Sequence, residues 1–417
     1  MNEKVLAFIW FNRLYENSEL ITTQGEKVDI IKTGFQNKDS GPDVTQAQIY
    51  INNILWVGNV EFHVKSSHWF LHNHHNDPAY NNIILHVVFE DDKPLLDNSN
   101  NFVPTLILSF KKQYSDKYYS LINKTDNQLC ETGISKLGSL KTSCMIDRLG
   151  IERLSNKANQ IYEALKINKG DWNQTFWQFL MRTFGFGKNA VPFELLAKSL
   201  PYTLIEKNKH SFSSVLALLY GQAGFFNLKK FDSEKFENLK NEYNYLKHKY
   251  NLVPIQESIW KFSGIRPSNF PQNRLGQIAM IAVNNSNLFS LILELKNIHQ
   301  LNNLFCINNL KIDKIYHGDF SEIGEETRNL IIINLVCPFL YCYSQYTGNE
   351  EMSERAVNIL ESLPPEKNSI ILSMAKKRLT ASSAFESQAI IQLNNEYCKL
   401  KKCIECQVGR YLLLTNN

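Results

Sequence analysis

At 417 residues the chain is longer than a single hydrophobic core usually supports, so two or three domains are expected. Its 43% hydrophobic and 21% charged residues make a globular composition and exclude a disordered or collagen-like polypeptide. A net charge of only +4 excludes a dedicated nucleic-acid coat protein, although it leaves room for a local basic groove.

The opening run MNEKVLAFIWFNRLYEN meets Glu3, Asn12 and Arg13 too early for a signal-peptide core. Leu330 to Tyr343, the longest apolar stretch, is shorter than the ~20 residues needed to cross a bilayer. Eight cysteines without secretory features point to reduced thiols or a metal site and not to a disulfide framework. The expectation is a cytoplasmic protein with no membrane span.

Residues 2–15 place Val5, Leu6, Ile9, Trp10 and Leu14 at helical spacing. Lys27 to Thr33, Val44 to Ile51 and Leu55 to Ser66 read as strands, the last two joined at Asn52-Asn53. Asp77-Pro78 is a helix start, and Ile83 to Phe89 and Val103 to Phe110 are further strands. From about residue 115 the period becomes helical, with segments near 150–166, 172–184, 192–199, 213–221, 234–249, 274–297, 325–346, 351–362, 367–379 and 382–397. The predicted fold is an α+β domain over 1–115, in the order α-β-β-β-α-β, followed by a large all-α domain over 116–417.

Between Asp43 and Lys65 the pattern carries chemistry. Glu61, His63 and Lys65 alternate with Val60, Phe62 and Val64, so one face of that strand is ionisable and the other apolar. Asp43, in Ser40-Gly41-Pro42-Asp43, immediately precedes the strand expected to pair with it, so the hairpin can bring its carboxylate beside Glu61. Two carboxylates suit Mg²⁺ or Mn²⁺, and a nearby lysine can assist attack on a phosphodiester. The alternative is a turn cap at Asp43 and solvent-facing charges on a half-buried sheet.

These residues resemble the PD-(D/E)xK nuclease fold, which has Asp at the start of the second core strand and (D/E)xK on the third. The resemblance implies that Pro42-Asp43 stands for PD and Lys65 for the final lysine, with His63 at the acidic position. Glu61, two residues back on the same face, then joins Asp43 as a metal ligand, with His63 as a ligand or tuning group. The match covers about the first 95 residues.

Six of the ten histidines fall between positions 63 and 86. His72, His74 and His75 with Asp77 form a candidate second metal or phosphate site, the alternative being a polar loop of capping histidines. His86, in an apolar strand, reads as a core histidine. Cys398, Cys403 and Cys406 form C-x4-C-x2-C, a spacing that can hold zinc or an iron–sulfur cluster, with Cys130 or Cys144 as fourth ligand. This is loosely similar to nucleases of the same group whose C-terminus is clamped by such a cluster. Phe184 to Asn189 lacks P-loop spacing, and no G-x-S-x-G, H-E-x-x-H, EF-hand or Rossmann pattern occurs.

Across its length the chain also resembles a bacterial family known only as a domain of unknown function, through SGPD (40–43), GNVEFHVKSSHW (58–69), FGFGKN (184–189), LYGQAGFF (219–226), RPSNFPQNRL (266–275) and CIEC (403–406). That family brings no activity with it. The expected function is a Mg²⁺- or Mn²⁺-dependent nuclease on DNA or RNA, with Asp43, Glu61, His63 and Lys65 at its centre. The rivals are a catalytically inactive nuclease-like module that binds nucleic acid or protein, and a metal-binding structural protein.

Overall fold

The structure, a computed structural model, describes residues 2–16, 19–37, 39–96, 102–123, 128–231, 234–307 and 320–415. The chain divides into two compact units: residues 1–142 together with 393–417, and residues 143–392. The boundary therefore falls later than the expected residue 115, and the C-terminal segment belongs with the N-terminal unit. The reason is packing. Leu413 of the C-terminal helix (Gln407–Leu414) is buried in that unit's core, and Lys117 Nζ donates to the Thr415 carbonyl at 2.7 Å.

The first unit opens with helix α1 (Glu3–Phe11), which ends where Arg13 takes a left-handed φ of 50°, four residues short of the periodicity's reach. Strands β1 (Leu20–Ile21), β2 (Lys27–Lys32), β3 (Phe35–Gln36), β4 (Val44–Ile51), β5 (Ile54–Lys65), β6 (Ile83–Glu90) and β7 (Thr105–Ile107) form one sheet. Its order is β1-β2-β4-β5-β6-β7, with β3 paired to β4. The strands from β1 to β5 pair antiparallel, whereas β6 is parallel to β5 and β7 to β6. Pro104 cannot donate to the ladder, so the strand expected from Val103 is regular only from Thr105.

Two local features set the site. Asn52 and Asn53 have φ of 49° and 66°, the doubly left-handed turn that a two-residue hairpin needs, and this fixes the β4–β5 register. The register then shifts between Val44 and Ala47, with Gln46 at φ 56°, which is a bulge beside Asp43. Between β5 and β6 the chain crosses over through helix α2 (His68–Leu71) and two single 3₁₀ turns, His74–Asn76 and Pro78–Tyr80. The expected helix at Asp77-Pro78 is only the second of these turns, capped by Asp77 accepting from Ala79 N–H at 2.9 Å.

β5 separates two environments. Val60 and Phe62 face α1, where Phe62 meets Trp10 edge-on at 5.9 Å. Glu61 and His63 point the opposite way and are also buried. Helices α3 (Lys112–Asn123) and α4 (Gln128–Leu137) complete the unit, and α4 packs on the C-terminal helix at Gly133, where a Cβ would meet Val408 and Leu412 at 2.8 Å.

The second unit is helical, with one large core of aromatic and aliphatic side chains. The segment expected at 274–297 is broken into Pro271–Asn284 and Leu288–Glu294, because Asn287 turns left-handed (φ 53°) and caps the second helix. The apolar run at 325–347 forms a continuous helix with a π turn at Ile332–Val336 ahead of Pro338, which has no N–H for the α ladder. This helix is long and apolar enough to cross a membrane, yet 61% of its most apolar window is buried within the protein, so it serves as a core helix.

Candidate metal centre

Alternation along β5 brings Glu61 and His63 to the same face, and the β4–β5 hairpin brings Asp43 to Glu61. The two acids are interlocked through the backbone. Asp43 N–H donates to Glu61 Oε2 at 2.9 Å, and Phe62 N–H donates to Asp43 Oδ2 at 3.1 Å. Glu61 Oε1 lies 3.4 Å from His74 Nε2.

The histidines converge on the same place. His63 Nε2 is 3.1 Å from His72 Nδ1, and His63 Nδ1 is 2.9 Å from Nε2 of His86, which sits beside Glu61 in the β5–β6 register. Among the described residues His63, His72 and His74 are the one group of three or more histidine, cysteine or acidic side chains whose ligand atoms all lie within 4.8 Å of one another. Tyr80 stacks on His74 with ring centroids 3.8 Å apart. The centre and the predicted second site are therefore one site. His75 and Asp77 stand aside from it: His75 Nε2 pairs with the Asn76 amide, and Asp77 caps its turn.

Lys65 is not brought in. Its Nζ pairs with Glu90 Oε1 at 3.1 Å and Asp92 Oδ2 at 3.9 Å. Four residues of strand separate it from Glu61, about 13 Å along β5.

Burial shapes the electrostatics. The Glu61 carboxyl is pushed up to about 8, first by desolvation and then by the Asp43 charge. Asp43 is raised as well, again chiefly by burial. Desolvation and the surrounding imidazoles push His63 down to about 2 and His86 down to about 3, and His74 is lowered. These imidazoles are neutral, which is the form that binds metals. If His63 presents the lone pair of Nε2, its Nδ1–H donates to His86 Nε2, and the outer histidine orients the inner ring.

The donor set fits a divalent cation. Tetrahedral zinc–nitrogen bonds of about 2.0–2.1 Å put neighbouring ligand atoms roughly 3.3–3.4 Å apart, close to the 3.1 Å between His63 Nε2 and His72 Nδ1. Four of the eleven buried side-chain polar atoms without a partner among the described residues fall on Trp69, His74, His75 and His86. Proteins leave few such atoms, so a cluster of them points to a ligand. Three imidazoles suit Mn²⁺, Zn²⁺ or Fe²⁺ better than Mg²⁺.

Sequence reasoning passed over Glu3, Trp69 and Tyr80. Glu3, the first residue of α1, raises the pKa of both Asp43 and Glu61 and lies 3.8 Å from His68 Nδ1. Nothing local signals it. Trp69 and Tyr80 belong to the histidine-rich crossover, and that clustering was the available signal.

The cysteines gather in part. Cys130 and Cys406 flank Cys403, whose thiol is pushed up to about 11 by burial and then by those two neighbours. Cys398 is exposed, and Cys144 belongs to the helical unit. The sulfur atoms do not close to the spacing of the histidine group.

Fold and site thus define an α+β unit with a part-buried histidine–carboxylate cluster, joined to a helical unit. The chain belongs to the family described as "Protein of unknown function (DUF2851)", which matches residues 3–369 and so takes in the cluster but stops short of the C-terminal cysteines. No curated protein and no solved structure matches it.

Proposed function

We propose that the protein is a metal-dependent phosphodiesterase acting on nucleic acid, with Asp43, Glu61, His63, His72 and His74 forming its metal centre. The observation that carries this reading is the convergence of two carboxylates and three imidazoles in a part-buried site, while the lysine of the same strand is engaged elsewhere. The nuclease-like core is supported by the order α1, β2, β4, β5, α2, β6, with Asp43 at the start of the second of its strands and Glu61 on the third. Within that likeness Glu61-Phe62-His63 takes the (D/E)xK place and histidine replaces the lysine, two residues earlier than the sequence pattern suggested.

A divalent cation held there supplies the Lewis acidity and activated water that diester hydrolysis requires at neutral pH. Asp43 and Glu61 each have one oxygen fixed by a backbone N–H, and the other oxygen of Glu61 faces His74 at 3.4 Å. His86 orients His63 from behind. Tyr80, its phenol raised to about 12 by burial and the nearby carboxylates, stays protonated and holds the His74 ring by stacking.

The test is cleavage of single- and double-stranded DNA and RNA with Mn²⁺, Zn²⁺ or Mg²⁺, comparing wild type with Asp43→Asn. Metal-dependent cleavage that disappears in the variant supports the reading. Nucleic-acid binding indifferent to chelator, with no cleavage under any metal, replaces it with a non-catalytic binding module.

We also propose a structural zinc or iron–sulfur site at Cys130, Cys403 and Cys406, completed by Cys398. Its support is that Cys130 lies near Cys403, more than 270 residues away in sequence, with Cys406 on that thiol as well. Metal content by elemental analysis, compared between wild type and Cys403→Ser, tests it, and equal content in the two sinks it.

A further inference from the structure

A cavity of about 900 Å³ lies in the first unit beside the metal centre, and His74 belongs to both. Its volume is at the upper end of the ~300–1,000 Å³ typical of small-ligand pockets. Trp56 and Phe102 present aromatic surface there and are 48% and 60% exposed. Tyr80 adds a third ring, and Gln24, whose Oε1 accepts from Thr105 N–H at 3.5 Å, and Asn82 add side-chain amides.

Two polar atoms give the wall direction. Trp69 lines the cavity and is 4% exposed, yet its indole N–H has no hydrogen-bond partner. His75 Nδ1, on the same wall, is buried and unpartnered too. Among the described residues no lysine or arginine lines the cavity and Glu26 is the one carboxylate, so that wall offers nothing to balance a phosphate. It suits a flat, uncharged ring system carrying hydrogen-bond acceptors.

We infer that this cavity is a nucleoside pocket, which takes an unpaired base and its sugar from single-stranded nucleic acid while the adjoining phosphate lies at the histidine centre. The inference rests on the phosphodiesterase reading and names its substrate class. Aromatic stacking accepts any base, and the amides and indole N–H meet base edges that pairing would hide in a duplex.

The experiment measures binding of a fluorescein-labelled single-stranded DNA oligonucleotide by anisotropy, without divalent metal, for wild type, Trp56→Ala and Phe102→Ala. Both side chains are solvent-exposed, so their truncation leaves the core intact. Each variant is expected to bind about 10-fold more weakly, the loss typical of one stacking partner, and the duplex is expected to bind more weakly than the single strand. No measurable wild-type binding, unchanged affinity in both variants, or equal affinity for duplex and single strand overturns the pocket. Wild-type hydrolysis of bis(p-nitrophenyl) phosphate with Mn²⁺, a diester with no nucleoside, reports separately on the parent reading. If that hydrolysis is absent but the variants still lose affinity, the pocket stands and the phosphodiesterase falls.

Discussion

In the helical unit Gln222 and Asn189 are as deeply buried as His63 and His86 are in the sheet unit, but their surroundings complete them. Gln222 donates to the Ser199 and Val253 carbonyls and accepts from the Tyr243 hydroxyl, and Asn189 exchanges two hydrogen bonds with the Lys261 backbone. In the histidine cluster the contacts run from one imidazole to the next, Nδ1 of His86 is left without a hydrogen bond, and Nε2 of His74 has only Glu61 Oε1 at 3.4 Å, outside hydrogen-bond geometry. A buried polar group that the protein satisfies stabilises the fold. A cluster it leaves incomplete lowers stability until something else binds, and that is the signature of a site.

The strongest way to break this contrast is Glu61→Gln. Loss of a carboxylate from the centre is expected to abolish metal retention and to slow hydrolysis by about 10³-fold or more, roughly 4 kcal/mol. The metal-free variant should melt no lower than metal-free wild type, since the change removes a buried acid that burial and Asp43 already disfavour as an anion. Elemental analysis, kinetics and calorimetry read the three quantities. A variant that keeps its metal and its rate would show the cluster to be only structural.

Gln222→Leu is the converse. It strands two carbonyls and a tyrosine hydroxyl, so it is expected to cost about 3 kcal/mol and lower the melting temperature by roughly 10 °C. Metal content per folded molecule should not change. A smaller effect belongs to His86→Phe, which fills the same core position but no longer orients His63, and metal affinity should fall by about 10- to 100-fold as measured by competition with a chelating dye. Unaltered affinity would return His86 to the core role its apolar strand suggests.

How legible this was depended on the range of the contacts. β4 matches its predicted bounds, and the Asn52-Asn53 turn and the meeting of Asp43 with Glu61 follow from alternation and hairpin register, all local to 25 residues. The joining of His72 and His74 to His63 depends on how the crossover folds back over β5, which periodicity does not encode. The return of the C-terminal helix to the first unit, and the place of Glu3 beside the acids, are likewise tertiary facts without a local pattern. On the proposed reading the motif centres two residues earlier than the sequence pattern suggests, for a related reason. Glu61, His63 and Lys65 share a face, and only the position of Asp43 along β5 selects among them.

Lys65→Ala therefore yields the smallest expected effect and the sharpest test of that register. The sequence pattern alone makes Lys65 the catalytic lysine and its loss severe. In the fold its ammonium is an exposed, solvent-screened partner of Glu90 and Asp92, and it lies some 13 Å of strand away from Glu61. Rate and metal content in Lys65→Ala should stay within about 3-fold of wild type, and the melting temperature should hardly move. A rate loss of 100-fold with metal retained would mean that Lys65 leaves its ion pairs to reach the phosphate, and the lysine would then displace His63 as the residue completing the motif.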